Sequence, residues 1–190
     1  MKFLQLLVML VLSSFIFTQN APGDGAFSTF HVKAENPTEY ANYLKENSQL
    51  LGNQNPVAAG TCITRAGSRY TGEMFVWQAF NSMEEAMDNT TAYDPYSAPF
   101  ALKQMRTPLY SSFWKPLKSF NIRPKSFERV NRVIVQPENL LEYIQVATMF
   151  EQELQKSNPG FVMGIFQPLG GGAEEALSLI HISEPTRPLY

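Results

Sequence analysis

Two nine-residue stretches decide the fold, VKAENPTEY at residues 32–40 and VQPENLLEY at residues 135–143. They share the pattern V-x-x-E-N-x-x-E-Y, and the second begins 103 positions after the first. A register maintained this far indicates an internal duplication of the chain. The same spacing continues downstream without a gap, where it pairs Gln49 with Gln152, Leu51 with Leu154, Asn55 and Pro56 with Asn158 and Pro159, and Gly67 with Gly170.

Each stretch is typical of a strand that runs into a helix. Asn36 suits a helix N-cap, Pro37 suits the first helical turn, and Glu39 follows the cap by three residues. Asn139 and Glu142 repeat this capping-box pattern in the second copy. A structural role at the two helix ends is therefore favoured over a catalytic one for these residues.

The strand before the first helix, residues 27–33, alternates between two faces. Its more apolar face, with Phe30 and Val32, is predicted to meet the helices. Thr29 and His31 stand on the opposite face, away from the helices. In the second copy, Arg132 occupies the position equivalent to Thr29.

The order of elements in the first copy predicts a ferredoxin-like βαββαβ unit. A hairpin at residues 60–65 and 73–80 is followed by a helix that starts at Ser82, a helical stretch around residues 98–106 and a strand at residues 109–114. We predict an α+β fold of two such units in tandem, with the second unit truncated. The domains predicted from the sequence are a signal peptide (1–21), a first unit (26–120), a linker (121–127), an incomplete second unit (128–176) and a non-native tail (177–190).

The tail is assigned from its sequence, because residues 177–187 resemble the translation of a common transposase-type sequencing adapter. The alternative is an ordinary C-terminal strand that ends at Pro185. With a non-native tail, the second unit lacks about 45 residues by extrapolation from the first, and His31 is the one native histidine.

The N-terminal segment predicts export. Lys2 precedes an apolar run that reaches Phe17, and a polar segment with proline and glycine follows, which is the composition of a secretory signal peptide. An uncleaved N-terminal anchor is the alternative. The single cysteine, Cys62, excludes an internal disulfide and fits a bacterial periplasmic or secreted protein.

The composition excludes several classes of function. The chain is 44% hydrophobic and carries a net charge of −2 without a basic cluster, so nucleic acid and acidic membranes are not expected partners. Two histidines make a histidine-based metal site unfavoured. No P-loop, dinucleotide fingerprint, zinc spacing or serine-hydrolase elbow is present, so we expect no cofactor and no metal. A homo-oligomer is left open.

The first unit resembles the dimeric α+β barrel superfamily, in its antibiotic-biosynthesis-monooxygenase-like branch. Residues 32–40 and the stretch FVWQAFNSMEEA at residues 75–86 carry this likeness. The resemblance implies that two ferredoxin-like units join their open sheet faces around a cavity. Many members carry a histidine after the Glu-Ala of the helix, whereas residues 87–91 have none, which disfavours haem-degrading and quinol-oxidising activities.

Candidate site residues follow from these faces. His31 is a candidate acid or base, and Arg132 is a candidate partner that polarises an enolate-like group. Thr29, Trp77, Trp114 and Tyr93 are candidate ligand contacts. The alternative for the histidine and the tryptophans is that they belong to the packed core.

Three functions remain open. The leading hypothesis is an exported α+β-barrel protein that binds a small, mostly apolar or aromatic molecule between its sheets. The second is a cofactor-independent monooxygenase-like enzyme that acts on a small aromatic or enolic substrate. The third is a non-catalytic structural or interaction module.

Export can be tested on the full-length chain expressed in a Gram-negative host. We expect the mature protein to have lost about 20 N-terminal residues, because the apolar run directs cleavage after it. Intact-mass spectrometry of the periplasmic fraction measures this loss. Leu10→Arg should leave the chain uncleaved in the cytoplasm, and an uncleaved wild-type chain in the membrane fraction would favour the anchor.

Overall fold

The computed structural model describes residues 25–51, 56–92, 94, 97–119, 128–170 and 178–183. The predicted signal peptide (1–21), the predicted linker (121–127) and Tyr93 lie outside the described residues. The description below therefore concerns the two predicted units and the strand formed by residues 178–183.

The described residues of the first unit form four strands and three helices. Its hairpin turn needs Gly72, whose φ is +79° and where a Cβ atom would lie 2.0 Å from the backbone oxygen of Ala34. In chain order the elements are β1 (Ala26–Ala34), α1 (Pro37–Glu46), a 3-10 turn (Ser48–Leu51), β2 (Ala58–Ile63), β3 (Glu73–Phe80), α2 (Met83–Ala92), α3 (Phe100–Met105) and β4 (Arg106–Pro116).

Three strands and one long helix make up the second unit within the ranges that the structure describes. Its elements are β5 (Glu128–Val133), a 3-10 turn (Pro137–Asn139), α4 (Leu140–Ser157), β6 (Val162–Gly170) and β7 (Ser178–Ser183). None of the helices in the described ranges has the length and hydropathy needed to cross a membrane.

The described strands form one seven-stranded antiparallel sheet in the order β2-β3-β1-β4-β6-β7-β5. The first four positions, β2-β3-β1-β4, are the strand order of a ferredoxin-like unit. The last three, β6-β7-β5, repeat the β2-β3-β1 part of that order with the counterparts from the second unit. The predicted α+β, barrel-like class is confirmed.

β7 gives the second unit one strand more than the sequence predicted for it. Residues 178–183 pair with β5 on one side and with β6 on the other, in the position of the third strand of the unit. A strand here agrees with the alternative considered for residues 177–190, and the non-native origin of the tail stays a prediction.

β4 joins the two units through main-chain hydrogen bonds. Its length from Arg106 to Trp114 pairs with β1, and its last residues, Phe113–Pro116, pair with β6. The backbone N–H of Leu117 then donates to the carbonyl of Ile165 at 2.8 Å. The C-terminal end of β4 is thus part of both units.

The two predicted helix caps differ in the structure. Asn36 has extended backbone angles and its side chain accepts a hydrogen bond from the Glu39 N–H at 3.3 Å, so this cap is confirmed. The prediction for Asn139 is wrong. Pro137 begins a 3-10 turn that includes Asn139, whose backbone (φ −97°, ψ 0°) lacks the extended form of an N-cap, and its side chain caps nothing.

Each unit packs its helices on one face of the sheet. In the first unit, Val32 and Met74 from the sheet are fully buried against Tyr40 and Leu44 of α1. The equivalent cluster of the second unit is formed by α4, β6 and the segment after β4, with Leu117, Ile144, Ala147, Phe161, Met163 and Ile165 as its buried members. The opposite sheet face, called the inner face below, therefore belongs to neither helical core.

A buried ion pair fastens α4 to the end of β4. Lys118 Nζ lies 2.5 Å from Glu151 Oε2, and both residues are at most 7% exposed. The second carboxylate oxygen of Glu151 accepts the backbone N–H of Met163 at 2.7 Å. Each carboxylate oxygen of Glu151 therefore has a partner, one the Lys118 ammonium group and the other a backbone amide. These contacts compensate the free-energy cost of removing the carboxylate from water.

Lys118→Ala should lower the free energy of unfolding by about 3–5 kcal/mol, because it leaves a buried carboxylate without its cation. Urea denaturation measures the change. Lys156→Ala is the matched control, because Lys156 pairs with Glu153 at the surface and such pairs contribute about 0–1 kcal/mol. Equal effects of the two substitutions would contradict a structural role for the buried pair.

Candidate ligand site

The strand register places one row of side chains across the inner face of the first unit. Cys62 pairs with Phe75, Phe75 with His31, and His31 with Tyr110. Directly paired residues project to the same side of a sheet, so these four side chains stand next to one another. His31 occupies the centre of the row and is only 3% exposed.

A second row on the same face is more tightly packed. Gly60 pairs with Trp77 and Trp77 pairs with Thr29. A Cβ atom at Gly60 would lie 2.8 Å from the Trp77 ring, so the absent side chain allows the indole to lie against β2. The indole N–H of Trp114 donates to Thr29 Oγ1 at 2.9 Å, and both residues are buried.

The second row encloses a small cavity where the inner faces of the two units meet. Phe27 of β1 contacts Phe166 of β6 edge to face, with ring centroids 4.8 Å apart. The volume of this cavity is about 30 Å³, roughly the share of one liquid water molecule. Its lining consists of Phe27, Thr29, Cys62, Phe75, Trp77, Trp114, Val130 and Phe166. This part of the interior is a packed core.

The first row borders a much larger groove between β2 and β5, with a volume of about 960 Å³. Ligand sites in proteins commonly measure about 300–1,000 Å³. Consecutive residues of β2 and β5 form the two walls, and inward-facing side chains of β1 and β3 form the floor. The groove is lined by His31, residues 59–67, Arg69, Glu73, Phe75, Trp77, residues 128–130 and Arg132.

Aromatic contacts hold His31 in the floor of the groove. Its ring stacks on Tyr110 with centroids 4.3 Å apart and an interplanar angle of 16°, and the Phe75 ring lies 5.2 Å away. Arg69 Nη2 donates to the Tyr110 hydroxyl at 2.9 Å, and Arg69 Nε donates to Glu73 Oε1 at 3.0 Å. Tyr110 is thus held by two contacts, a ring stack with the His31 imidazole and a hydrogen bond from the salt-bridged Arg69 guanidinium.

Arg69 remains cationic in this setting. Partial burial lowers the pKa of its guanidinium, but the hydrogen bonds and charges of Tyr110 and Glu73 raise that pKa by more. The carboxylate of Glu73 also accepts the backbone N–H of Arg69 at 2.6 Å. The hairpin turn between β2 and β3 is therefore fixed against β4 at the rim of the groove.

Cys62 is a thiol rather than a thiolate at neutral pH. Burial raises the pKa of this thiol well above its ordinary value, and the neighbouring Glu128 carboxylate raises it further. The Sγ–H group donates to Glu128 Oε2 at 3.5 Å across the groove. A nucleophilic role needs the thiolate, so the raised pKa disfavours that role for this cysteine.

The groove concentrates positive charge in an acidic chain. Four arginines line it together with two glutamates, Glu73 and Glu128, whereas the whole chain has a net charge of −2. Guanidinium groups favour carboxylate, phenolate and other planar anions, because they donate two parallel hydrogen bonds. The arginines are Arg65, Arg69, Arg129 and Arg132.

The candidate residues from the sequence divide between the two spaces. His31 lies in the floor of the groove, and Arg132 is an exposed residue of its β5 wall. Thr29 and Trp114 line the small cavity and bond to one another, while Trp77 borders both spaces. Tyr93 lies outside the described residues. The roles of all six stay predictions.

The sequence reasoning missed Tyr110, Arg69 and Glu73. Tyr110 meets His31 through the pairing of β1 with β4, whose register shifts at the bulge between His31 and Val32. Such a shift carries no local sequence signal. Arg69 and Glu73 lie four residues apart on the two sides of a glycine-containing turn. This spacing could have predicted their salt bridge, but not the contact of Arg69 with Tyr110.

Comparison with known proteins gives a likeness at the level of the fold. No protein-family model matches the chain, and no curated protein matches it. Among solved structures, one described as a crystal structure of an anthrone oxidase-like protein matches with a TM-score of 0.55 and 12% identity. The match covers 89% of this chain and 76% of that chain. At this identity the likeness supports the α+β barrel-like fold alone.

Thr29→Val should lower the free energy of unfolding by about 1–3 kcal/mol, because it leaves the buried Trp114 indole N–H without an acceptor. Thermal denaturation followed by tryptophan fluorescence measures the loss. Thr107→Val is the control, since Thr107 is an exposed residue of β4. A Thr29 variant as stable as the wild type would mean that this hydrogen bond contributes nothing to the core.

Proposed function

We propose that the protein binds a small planar aromatic molecule that carries an acidic group, and that the groove between β2 and β5 is its site. The observation that carries this proposal is the composition of the groove. Its floor consists of His31, Phe75 and Trp77, and its walls carry four arginines. An aromatic floor gives stacking contacts, and the guanidinium groups give orientation to an anion.

The groove offers a ligand more room than the interior between the two units, where the sequence predicted the site. In the part of the chain that the structure describes, the cavity beside Thr29 and Trp114 between the inner faces of the units measures about 30 Å³. A ring system needs several times that volume, so the ligand would bind in the groove and reach inward as far as His31 and Trp77. The expected orientation has the ring against Phe75 and the acidic group toward Arg132.

Export to the periplasm or the medium is part of the same proposal. It rests on the secretory pattern of residues 1–21 and on the single cysteine. In that compartment the ligand would be a small molecule from outside the cytoplasm.

The fluorescent probe 8-anilinonaphthalene-1-sulfonate, an aromatic anion, tests the binding proposal. Arg132→Gln should weaken its binding at least about tenfold, because a charge-assisted hydrogen bond contributes about 1.5–3 kcal/mol. Lys156→Gln is the control, since Lys156 is an exposed lysine of α4. Equal weakening in both variants, or no saturable binding to the wild type, would contradict a site in the groove.

A second candidate function is oxidation of such a molecule by dioxygen without a cofactor. It is favoured because His31 and Arg132 border the same groove. In this reaction His31 takes the proton of an acidic phenol or enol, Arg132 stabilises the oxyanion, and the carbanion form gives one electron to dioxygen. The substrate radical and superoxide then combine in a C–O bond, and the peroxide anion takes the proton back from His31. Loss of water from the resulting C(H)–OOH group leaves a carbonyl, so one oxygen atom stays in the product and the other leaves as water. The solved anthrone oxidase-like protein shares the fold, which makes anthrone a reasonable first substrate to try.

Oxygen consumption in the presence of anthrone tests this second candidate. His31→Ala should reduce the rate at least about 100-fold if His31 is the general base, while Lys156→Gln should leave it unchanged. A rate that His31→Ala leaves intact would remove the enzymatic candidate without affecting the binding proposal. If neither binding nor turnover is found, the third hypothesis, a structural or interaction module, becomes the better one.

A further inference from the structure

A small cavity adjoins the groove where the inner faces of the two units meet. Four of its eight lining residues also line the groove, namely Cys62, Phe75, Trp77 and Val130. The cavity measures about 30 Å³, so it has room for one molecule of the size of water or of a diatomic gas. It is thus too small for the proposed aromatic ligand but lies directly beside its site.

Apolar side chains form most of the wall of this cavity. Six of the eight lining residues are aromatic or aliphatic, and the other two are Thr29 and Cys62. The six come from both units, so the cavity forms only where β5 and β6 close over the inner face of β1 and β3. The apolar residues are Phe27, Phe75, Trp77, Trp114, Val130 and Phe166.

The N–H and S–H donors of the wall are already used by other side chains. The indole N–H of Trp114 donates to Thr29 Oγ1 at 2.9 Å. The indole N–H of Trp77 is hydrogen-bonded to Cys62 Sγ, and the Cys62 S–H group donates to Glu128 Oε2 at 3.5 Å. None of these three donors is therefore directed at the space inside the cavity.

A water molecule in this cavity would find too few partners. Buried waters in proteins usually make about three hydrogen bonds. Among the side chains of the described lining, the Thr29 hydroxyl is the one group left to offer such a bond. The backbone groups of β1 and β3 are paired with neighbouring strands on both sides. Apolar cavities of this kind stay dry and take up apolar guests such as xenon.

We infer that this cavity binds dioxygen. Dioxygen is diatomic and apolar and has no hydrogen to donate, so it gains free energy when it leaves water for an apolar wall. Phe75 belongs both to the cavity wall and to the groove floor, and its ring lies 5.2 Å from that of His31. A dioxygen molecule in the cavity therefore lies next to a substrate ring seated at His31. Binding of the gas is independent of the proposed oxidation, whereas its use as a co-substrate rests on that proposed function.

Intrinsic fluorescence reports on the cavity directly, because the two tryptophans of the chain, Trp77 and Trp114, both line it. Both are at most 7% exposed, so iodide should quench them very little. A dioxygen molecule that resides in the cavity quenches without a diffusional encounter, and it lowers the fluorescence intensity more than the fluorescence lifetime. We expect this static component in the purified chain under raised dioxygen pressure, with no aromatic ligand present.

Filling the cavity tests whether the gas binds there. Val130→Ile adds one methylene to the wall and should reduce the static component at least about fivefold, because the gas and the added group fit together only by overpacking. Val133→Ile is the matched control, since Val133 lies on the same strand but packs against the helical core of the second unit.

Paramagnetic relaxation by dissolved dioxygen locates the gas by a second measurement. We expect relaxation to be several-fold faster at the methyl protons of Val130 than at those of Val32. Val32 is an equally apolar reference, because it is fully buried in the helical core of the first unit.

Two outcomes would overturn the gas site. One is an equal fall of intensity and lifetime in the wild type together with equal relaxation at Val130 and Val32. The other is an ordered water molecule in the cavity of a crystal structure. These measurements use no substrate, so failure of the gas site is distinguishable from failure of the aromatic-ligand and oxidation proposals.

Use of the bound gas is tested separately with anthrone as the substrate. Val130→Ile should raise the KM for dioxygen at least about fivefold, because it competes for the same space, while Val133→Ile should leave this KM unchanged. An unchanged KM in the Val130 variant, or no turnover in the wild type, would remove the co-substrate role and leave the gas site standing.

Discussion

The position of nearly every functional group in this protein depends on the pairing of β4 with two strands at once. Along β1 it brings Tyr110 next to His31 and Trp114 next to Thr29, and at its end it pairs with β6 of the second unit. Each main-chain hydrogen bond is individually modest, about 0.5–1.5 kcal/mol. A ladder that spans two units nevertheless fixes their relative position, since a shift of one residue would turn every side chain to the opposite face.

That pairing divides the inner face into two regions with different physical character. Near the end of β4 the two units meet, and the aromatic rings of Phe27, Trp77 and Phe166 fill the space almost completely. Farther along, β2 and β5 diverge around the groove, and polar and charged side chains stand beside aromatic ones. Dense packing excludes an aromatic ligand from the first region, while the second offers both volume and charge.

The sequence by itself determined the type and order of the elements of the first unit. The repeated strand-to-helix pattern at Val32 and Val135, the alternation that separates Val32 from His31, and the Asn36 cap all depend on neighbours within a few residues. The same local reasoning failed at Asn139, because Pro137 two positions earlier imposes a 3-10 turn. Only the tertiary structure decided that Tyr110 stacks on His31, that Lys118 meets Glu151, and that Thr29 and Trp114 are bonded in a packed interior while Arg132 borders an open groove. Those contacts join residues far apart in the chain, and their geometry follows from strand register and from the approach of two sheets, neither of which any short stretch of sequence encodes.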